Sequence, residues 1–203
     1  MPPPARPLHA DELTSFHALR TDLYQAVFEL LRMPPRDGTL AEVRRLLAGH
    51  AARRRDHLGL QELDEALAGA PLERAAREYA SLFAGESPAV SMRCPNPGCR
   101  HRGEAFAAVE ILQGEDRMSE LRVLGLLARR TLDALDAGNL PEASILTDVQ
   151  GRFLGHHAVP CLGQFVTSLR AGGDSLYSRV GVALGWLLEE DLRLLGYKEA
   201  RAR

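Results

Sequence analysis

Lysine is almost absent from this 203-residue sequence, because the single lysine is Lys198 near its end. A P-loop needs a lysine directly after its glycines to contact phosphates, and no such pattern occurs. The Gly-x-Ser-x-Gly pattern that presents a nucleophilic serine is also missing. We therefore expect a protein that is not an enzyme.

An excess of charge of one sign is missing as well. Lysine and arginine number 25 against 27 acidic residues, which gives a formal net charge of -2. Proteins dedicated to nucleic acids usually carry a basic face that attracts phosphates. The near balance makes nucleic acid an unexpected partner.

Long apolar runs are absent too. A membrane-spanning helix needs about 20 consecutive apolar residues, and the best candidate, residues 180–188, is interrupted by Gly181 and Gly185. Residues 1–14 are rich in proline and contain no apolar stretch typical of a secretory signal. The three cysteines favour reduced thiols or a metal over a disulfide framework. We expect a cytoplasmic protein without a membrane span.

Apolar residues with helical periodicity cover most of the chain. Thr39 and Glu42 form a capping box at the start of one helix, Gly85 and Gly138 are expected to end two others, and Pro160 is expected to kink or break another. No convincing period-two strand pattern is found. The sequence predicts a single all-α helical bundle over residues 1–203, with helices near residues 11–32, 40–47, 60–67, 72–83, 104–113, 116–136, 142–170 and 174–195.

Residues 85–103 interrupt this periodicity with a loop rich in glycine and proline, which we expect to lack apolar anchors. The loop contains Cys94, Cys99 and His101, whose side chains are ligand types for zinc. A fourth ligand is not evident in the loop and would have to come from elsewhere. The alternatives are a reversible disulfide between the two cysteines and a plain exposed loop without cofactor. The possible outside ligands are His156, His157, Cys161 or a dimer mate.

The adjacent His156 and His157 also raise the possibility of a helical metalloenzyme. Neighbouring helical residues point about 100° apart, so both can face one metal only if the helix is locally broken, as Pro160 could allow. No second histidine follows at the i+4 position, and no Glu-x-x-His pair is present. These absences argue against a metalloenzyme and favour a role for His157 as a polar residue that orients a neighbouring side chain.

Three patches of sequence carry a more specific signal. The first is the order Phe153-Leu154, His157, Pro160 and Phe165. The second is residues 116–121, in which an acidic residue precedes a Glu-Leu pair, and the third is residues 78–83, in which an aromatic residue precedes a Leu-Phe pair. In order and spacing the three patches resemble the TorD/DmsD/NarJ family of chaperones that mature molybdenum oxidoreductases.

The sequence departs from the family's pattern at several points. Arg117 stands where the family has a histidine, Cys161 where it has a tryptophan, and Gly163 where it has a second proline. The segment between Phe83 and Asp116 is also shorter than in the family and contains the cysteine loop. These differences imply that the surface formed by these positions differs in shape from the corresponding surface of the family.

The resemblance implies a helical chaperone that binds the N-terminal segment of a molybdopterin oxidoreductase catalytic subunit, such as a twin-arginine signal, until the cofactor is inserted. Monomers and domain-swapped homodimers both fit it. Recognition of arginines followed by an apolar stretch requires carboxylates near an apolar groove, and Asp116 and Glu120, at positions i and i+4, are expected to share one helix face. The alternative is a small zinc-binding helical module that recognises a partner protein. The predicted client-binding residues are Tyr79, Leu82, Phe83, Asp116, Arg117, Glu120 and His157.

Overall fold

The computed structural model describes residues 10–48, 58–84, 88–112, 114 and 116–195. These residues form an all-α bundle, which confirms the predicted fold class, and they include no β-strand. The predicted helix end at Gly85 lies outside the described residues. The helices are α1 (Ala10–Leu31), α2 (Asp37–Ala48), α3 (Leu58–Gly69), α4 (Leu72–Phe83), α5 (Arg100–Ala108), α6 (Arg117–Asp136), α7 (Leu140–Phe153), α8 (Val159–Arg170) and α9 (Leu176–Leu194).

Helices α1 and α6 pack against each other along much of their length. Leu23, Val27 and Leu30 recur at intervals of three and four residues in α1, and all three are buried. Leu121 and Leu124 of α6 are buried in the same core. Burial of one apolar face of each helix supplies the main stabilisation of the pair.

Helix α6 has the boundaries that its sequence predicts. The Asp116 carboxylate accepts a hydrogen bond from the Ser119 backbone N–H at 2.8 Å, so Asp116 is the N-cap. Past the other end, Gly138 has a φ of 69°, in the left-handed region that favours glycine. The first turn therefore begins at Arg117, immediately after the patch's acidic residue.

A π-turn, Leu154–Ala158, joins α7 to α8. The Val159 N–H donates to the Leu154 carbonyl, which is the i to i+5 pattern of a π-helix. Pro160 follows at once and has no N–H to donate to the preceding turn. The prediction of an irregular helix near Pro160 is confirmed, and the irregularity is one wide turn.

The loop before α5 is shorter and better anchored than the sequence predicts. Helix α5 begins at Arg100, four residues before the expected start at residue 104, and Val90 and Cys94 are buried. The Val90 N–H donates to the Leu82 carbonyl at 2.9 Å, and Arg93 forms an isolated bridge with Asp116. The expectation of a loop without apolar anchors is therefore wrong for residues 88–99.

Helix α9 closes the bundle against α3 and α8. A Cβ atom added at Gly181 would lie 2.8 Å from the Leu169 Cβ, so this glycine permits the close approach of α8. No described helix is both long and apolar enough to cross a membrane.

A buried polar network braces α1 against α9 at the centre of the bundle. The Arg20 guanidinium donates two hydrogen bonds of 2.7 Å to the two oxygens of Asp191, and both side chains are fully buried. Tyr24 donates to the same carboxylate at 2.7 Å. Gln150 of α7 accepts from Arg20 at 2.5 Å and donates to Thr131 of α6 at 2.6 Å. Through these contacts the network joins four helices.

Candidate functional site

The three sequence patches meet on one side of the bundle. Phe83 from the 78–83 patch stacks on Phe165 from the 153–165 patch, with ring centroids 6.3 Å apart. Arg117 from the 116–121 patch lies over the same Phe165 ring, 5.6 Å from its centroid. Tyr177 adds an edge contact to Phe83 at 5.7 Å. Residues that are distant in sequence therefore share one cluster.

Glu120 lies in the interior of this region and is fully buried. Its Oε1 accepts a 2.7 Å hydrogen bond from Arg102 Nε, and Arg102 is itself 1% exposed. The Arg102 guanidinium also donates to the carbonyls of Pro97 and Gly114 and stacks over the Phe106 ring. Helices α5 and α6 are thus joined by a buried ion pair that several hydrogen bonds support.

His157 projects inward from the π-turn to the other oxygen of Glu120. Its Nε2 lies 3.3 Å from Glu120 Oε2 and 3.5 Å from Cys94 Sγ. The ring stacks on Phe153, with 16° between the planes. Glu120 Oε2 makes no hydrogen bond of normal geometry with any described residue, so one buried acceptor lies beside an imidazole nitrogen and is not satisfied.

Cys161, one turn beyond His157, completes a buried group with Cys94. The two sulfurs and one imidazole nitrogen lie within 4.8 Å of one another. Burial, followed by the proximity of Cys94 and Glu120, raises the pKa of the Cys161 thiol to about 12. Without a cation the thiol is therefore protonated at neutral pH. A metal ion is the kind of partner that would convert it to a thiolate.

Arg117 fixes the loop to the start of α6. Its side chain is buried and donates to the Ser91 carbonyl at 2.7 Å, and its backbone N–H donates to the Met92 carbonyl at 2.8 Å. The positive charge of Arg117 stays inside the fold. It therefore contributes to the position of Cys94, two residues beyond Met92.

The seven predicted client-binding residues differ in exposure. Asp116 is exposed, and Tyr79, Leu82 and Phe83 are half-buried. Arg117, Glu120 and His157 are buried and contact other parts of the bundle. The expectation that Asp116 and Glu120 offer two carboxylates on one exposed face is wrong, because Glu120 points into the core and pairs with Arg102.

The three predicted metal ligands do not lie together in the structure. Of Cys94, Cys99 and His101, only Cys94 lies in the buried group. Cys99 is half-buried and occupies the N-cap position of α5. His101 lies 3.4 Å from Glu104 and stacks on His156, with ring centroids 4.4 Å apart. The two outside residues that join Cys94 are His157 and Cys161, both considered from the sequence only as possible additional ligands.

Two signals in the sequence could have located this group. His157 and Cys161 are four residues apart, a spacing that brings two donors to one face of a helix. The capped start of α6 places Glu120 one turn beyond Asp116. Arg102 carries no comparable signal, because charged residues are seldom buried and nothing local indicates its partner.

Two open grooves lie outside this buried cluster. One has a volume of about 300 Å³ and lies between α3, α4 and the start of α9. It is lined by small apolar side chains, by the carboxylates of Glu65, Glu78 and Asp174, and by the guanidiniums of Arg74 and Arg179. The other, of about 480 Å³, lies between α1 and α6, and its lining includes Arg32, Arg122 and Arg129 but no carboxylate. The two grooves therefore favour ligands of different charge.

No family model matches the chain, and no curated protein or solved structure is significantly similar to it.

Proposed function

We propose that this protein is a chaperone that binds the N-terminal segment of a molybdopterin oxidoreductase catalytic subunit and holds it for cofactor insertion. The observation that carries the proposal is the meeting of the three family-like patches in one cluster. Phe83, Arg117 and Phe165 come one from each patch and contact one another through Phe165. Such a meeting is expected if the resemblance reflects a shared functional unit.

The groove between α3, α4 and α9 is the surface that best fits a cationic client segment. Glu65 and Asp174 are exposed at this groove, and Glu78 lies between them. Arg74 and Arg179 are also present, each paired with one of these carboxylates at 2.9 Å. A client arginine can bind Glu65, for which no ion pair is seen among the described residues, or displace Arg74 or Arg179 from its pair, because exposed ion pairs contribute little stability.

The same groove leads toward the predicted apolar residues. Tyr79 follows Glu78 directly in α4, and its ring contacts Tyr177 of α9 at 5.9 Å. Leu82 and Phe83 continue along α4 and are half-buried. An arginine pair bound at the carboxylates would therefore place the following apolar residues beside Tyr79, where burial would supply most of the affinity.

Calorimetric titration with a peptide that contains two arginines followed by an apolar stretch tests the proposal. The double substitution Glu65→Gln with Asp174→Asn is expected to weaken binding by about 1 to 3 kcal/mol, because charge-assisted hydrogen bonds are lost. Raising the salt concentration is expected to weaken wild-type binding more than binding to the double variant. The candidate client is the N-terminal peptide of a molybdopterin oxidoreductase catalytic subunit.

The matched control is Asp133→Asn with Asp148→Asn. These carboxylates are exposed on α6 and α7 and pair with arginines one turn away, at 3.0 and 4.0 Å. The control should bind the peptide like the wild type. Absence of binding to the wild type would reject the proposed function. Equal losses in both double variants would instead show nonspecific attraction to the acidic surface.

A further inference from the structure

The buried group of Cys94, His157 and Cys161 combines donor atoms from three different elements. Cys94 belongs to the loop before α5, His157 to the π-turn and Cys161 to α8. All three side chains are buried, and all are ligand types that bind zinc. Their donor atoms all lie within 4.8 Å of one another.

Two of the separations agree with the edges of a tetrahedral zinc site, and the Glu120 carboxylate, which lies outside the group whose donor atoms are all within 4.8 Å of one another, would have to shift toward the ion to bind it. Zinc binds sulfur at about 2.3 Å and imidazole nitrogen at about 2.0 Å, so a tetrahedral angle places the two donors about 3.5 Å apart. The Cys94 Sγ to His157 Nε2 separation is 3.5 Å. For nitrogen and carboxylate oxygen the corresponding edge is about 3.3 to 3.4 Å. The His157 Nε2 to Glu120 Oε2 separation is 3.3 Å.

Glu120 supplies the second, independent observation. Its side chain is fully buried, and Oε2 faces His157 without a hydrogen bond of normal geometry from any described residue. A neutral imidazole whose Nε2 carries a proton could donate to this oxygen or to the Cys94 sulfur, but not well to both. A cation between the three atoms would satisfy the oxygen, the nitrogen and the sulfur together.

The charges of the surrounding side chains also permit a divalent cation. Zinc binding would release the protons of the two thiols, so the total charge of the buried group would not change. Arg102 would remain paired with Glu120, and the buried Arg117 guanidinium would add a second positive charge to this part of the interior. The ion therefore adds no uncompensated charge to the interior.

We infer that Cys94, His157 and Cys161 form a zinc site, with Glu120 Oε2 as the fourth ligand. The site joins the loop before α5 to the π-turn and to α8. The same loop is also bonded to Leu82 through Val90 and to Asp116 through Arg93. Its existence does not depend on the proposed client-binding function.

Titration of the reduced, metal-free full-length protein with Co²⁺ under anaerobic conditions tests the site. Cobalt reports its own ligands, because thiolate binding produces a charge-transfer band and tetrahedral geometry produces intense visible bands. We expect about one Co²⁺ per chain, with both signatures, and displacement of the cobalt by zinc. Elemental analysis of the protein purified with zinc should give the same ratio.

Single substitutions identify the ligands. Cys94→Ser, Cys161→Ser and His157→Gln should each weaken zinc binding by about 100-fold or more, and Glu120→Gln by about 10- to 100-fold. The matched controls are Cys99→Ser and His101→Gln, which change the same residue types in the same part of the fold. Both controls should retain the cobalt spectrum unchanged.

Several results would overturn the inference. The first is a wild-type spectrum without thiolate bands while chemical titration shows that its thiols are free. The second is loss of the spectrum in Cys99→Ser and His101→Gln together with its retention in Cys161→Ser, because the ion would then lie on the loop. The third is a Cys94 to Cys161 disulfide that re-forms in the reduced protein in place of metal binding. Circular dichroism of each variant identifies any that fails to fold, and the wild-type titration remains decisive in that case.

Discussion

The bundle contains two buried polar networks, and they differ in how completely their groups are satisfied. In the Arg20 and Asp191 network both carboxylate oxygens accept bonds of 2.7 Å from Arg20, and Tyr24 adds a third. In the Glu120 network Oε1 is bonded to Arg102 while Oε2 has no hydrogen bond among the described residues. The first arrangement is typical of a structural brace, and the second leaves a buried acceptor without a hydrogen bond from the described residues.

The two networks differ in chemistry as well. The first contains arginine, tyrosine, glutamine, threonine and two zinc-binding residue types, Asp191 and His17, but both of these already contact Arg20, His17 through its Nδ1 at 3.0 Å. The second contains two thiols and an imidazole on three elements. An incomplete polar network is therefore a better indicator of a ligand site in this protein than burial or charge alone.

The largest effect is expected from Asp191→Asn, which keeps the shape of the side chain and removes its charge. Arg20 would lose the bidentate acceptor and remain as a buried charge without compensation. We expect the free energy of unfolding to fall by about 3 to 5 kcal/mol, as measured by urea denaturation.

The matched substitution in the other network is Glu120→Gln, tested without metal. Arg102 also loses its counter-charge, but it keeps the amide oxygen and the Pro97 and Gly114 carbonyls as acceptors, and the amide nitrogen would replace the unsatisfied oxygen beside His157. Its cost should be smaller than that of Asp191→Asn by at least about 1 kcal/mol. Equal costs would show that the two networks are equally complete.

The next effect is a dependence of stability on pH that arises from His17. Burial, and secondarily the Arg20 charge, lower the pKa of His17 to about 3. Below about pH 6.5 the unfolded chain binds a proton at this histidine and the folded protein does not, so stability falls as the pH decreases from 6.5 toward 3. Between pH 6.5 and 5 the loss should be about 1.6 kcal/mol.

The control for this prediction is His17→Gln, which removes the titrating group. Groups other than His17 titrate in both proteins, so their contributions to the pH dependence largely cancel in the comparison. The difference between wild type and variant isolates the histidine. Parallel stability curves over this pH range would contradict the assignment.

The smallest effect is expected where a buried hydroxyl has no partner. The Tyr177 hydroxyl makes no hydrogen bond with the described residues, so Tyr177→Phe should change the free energy of unfolding by less than about 0.5 kcal/mol or stabilise the protein. Tyr24→Phe removes a 2.7 Å bond to Asp191 and should cost about 1.5 to 3 kcal/mol. Urea denaturation of the two variants measures the difference between their free energies of unfolding. Equal losses of stability in the two variants would contradict the prediction.

The sequence predicts the helices well where local signals act alone. The cap at Asp116, the glycine after α6 and the irregularity near Pro160 all follow from backbone chemistry that a few neighbouring residues determine. The sequence predicts the start of α5 four residues too late, because Gly103 is typical of a loop, whereas its N–H closes the first turn of the helix on the Cys99 carbonyl at 3.2 Å.

The candidate site was predicted only in part, because its geometry depends on contacts between distant residues. Cys94 and His157 were identified by residue type and motif, but their contact spans 63 positions in the sequence. Glu120 was assigned to an exposed face, since helical spacing indicates which residues share a face but not which face is buried. Its partner Arg102 could be recognised only after α5 and α6 were placed together.

The π-turn has a consequence for the kinds of change that this chain can tolerate. A π-turn holds one residue more than the corresponding α-helical turn. Deletion of a single residue within Leu154–Ala158 would restore a regular helix and rotate α8 by about 100° relative to α7. Cys161 and Phe165 would then leave the interior together. We therefore expect this segment to tolerate substitutions more readily than the deletion of a single residue.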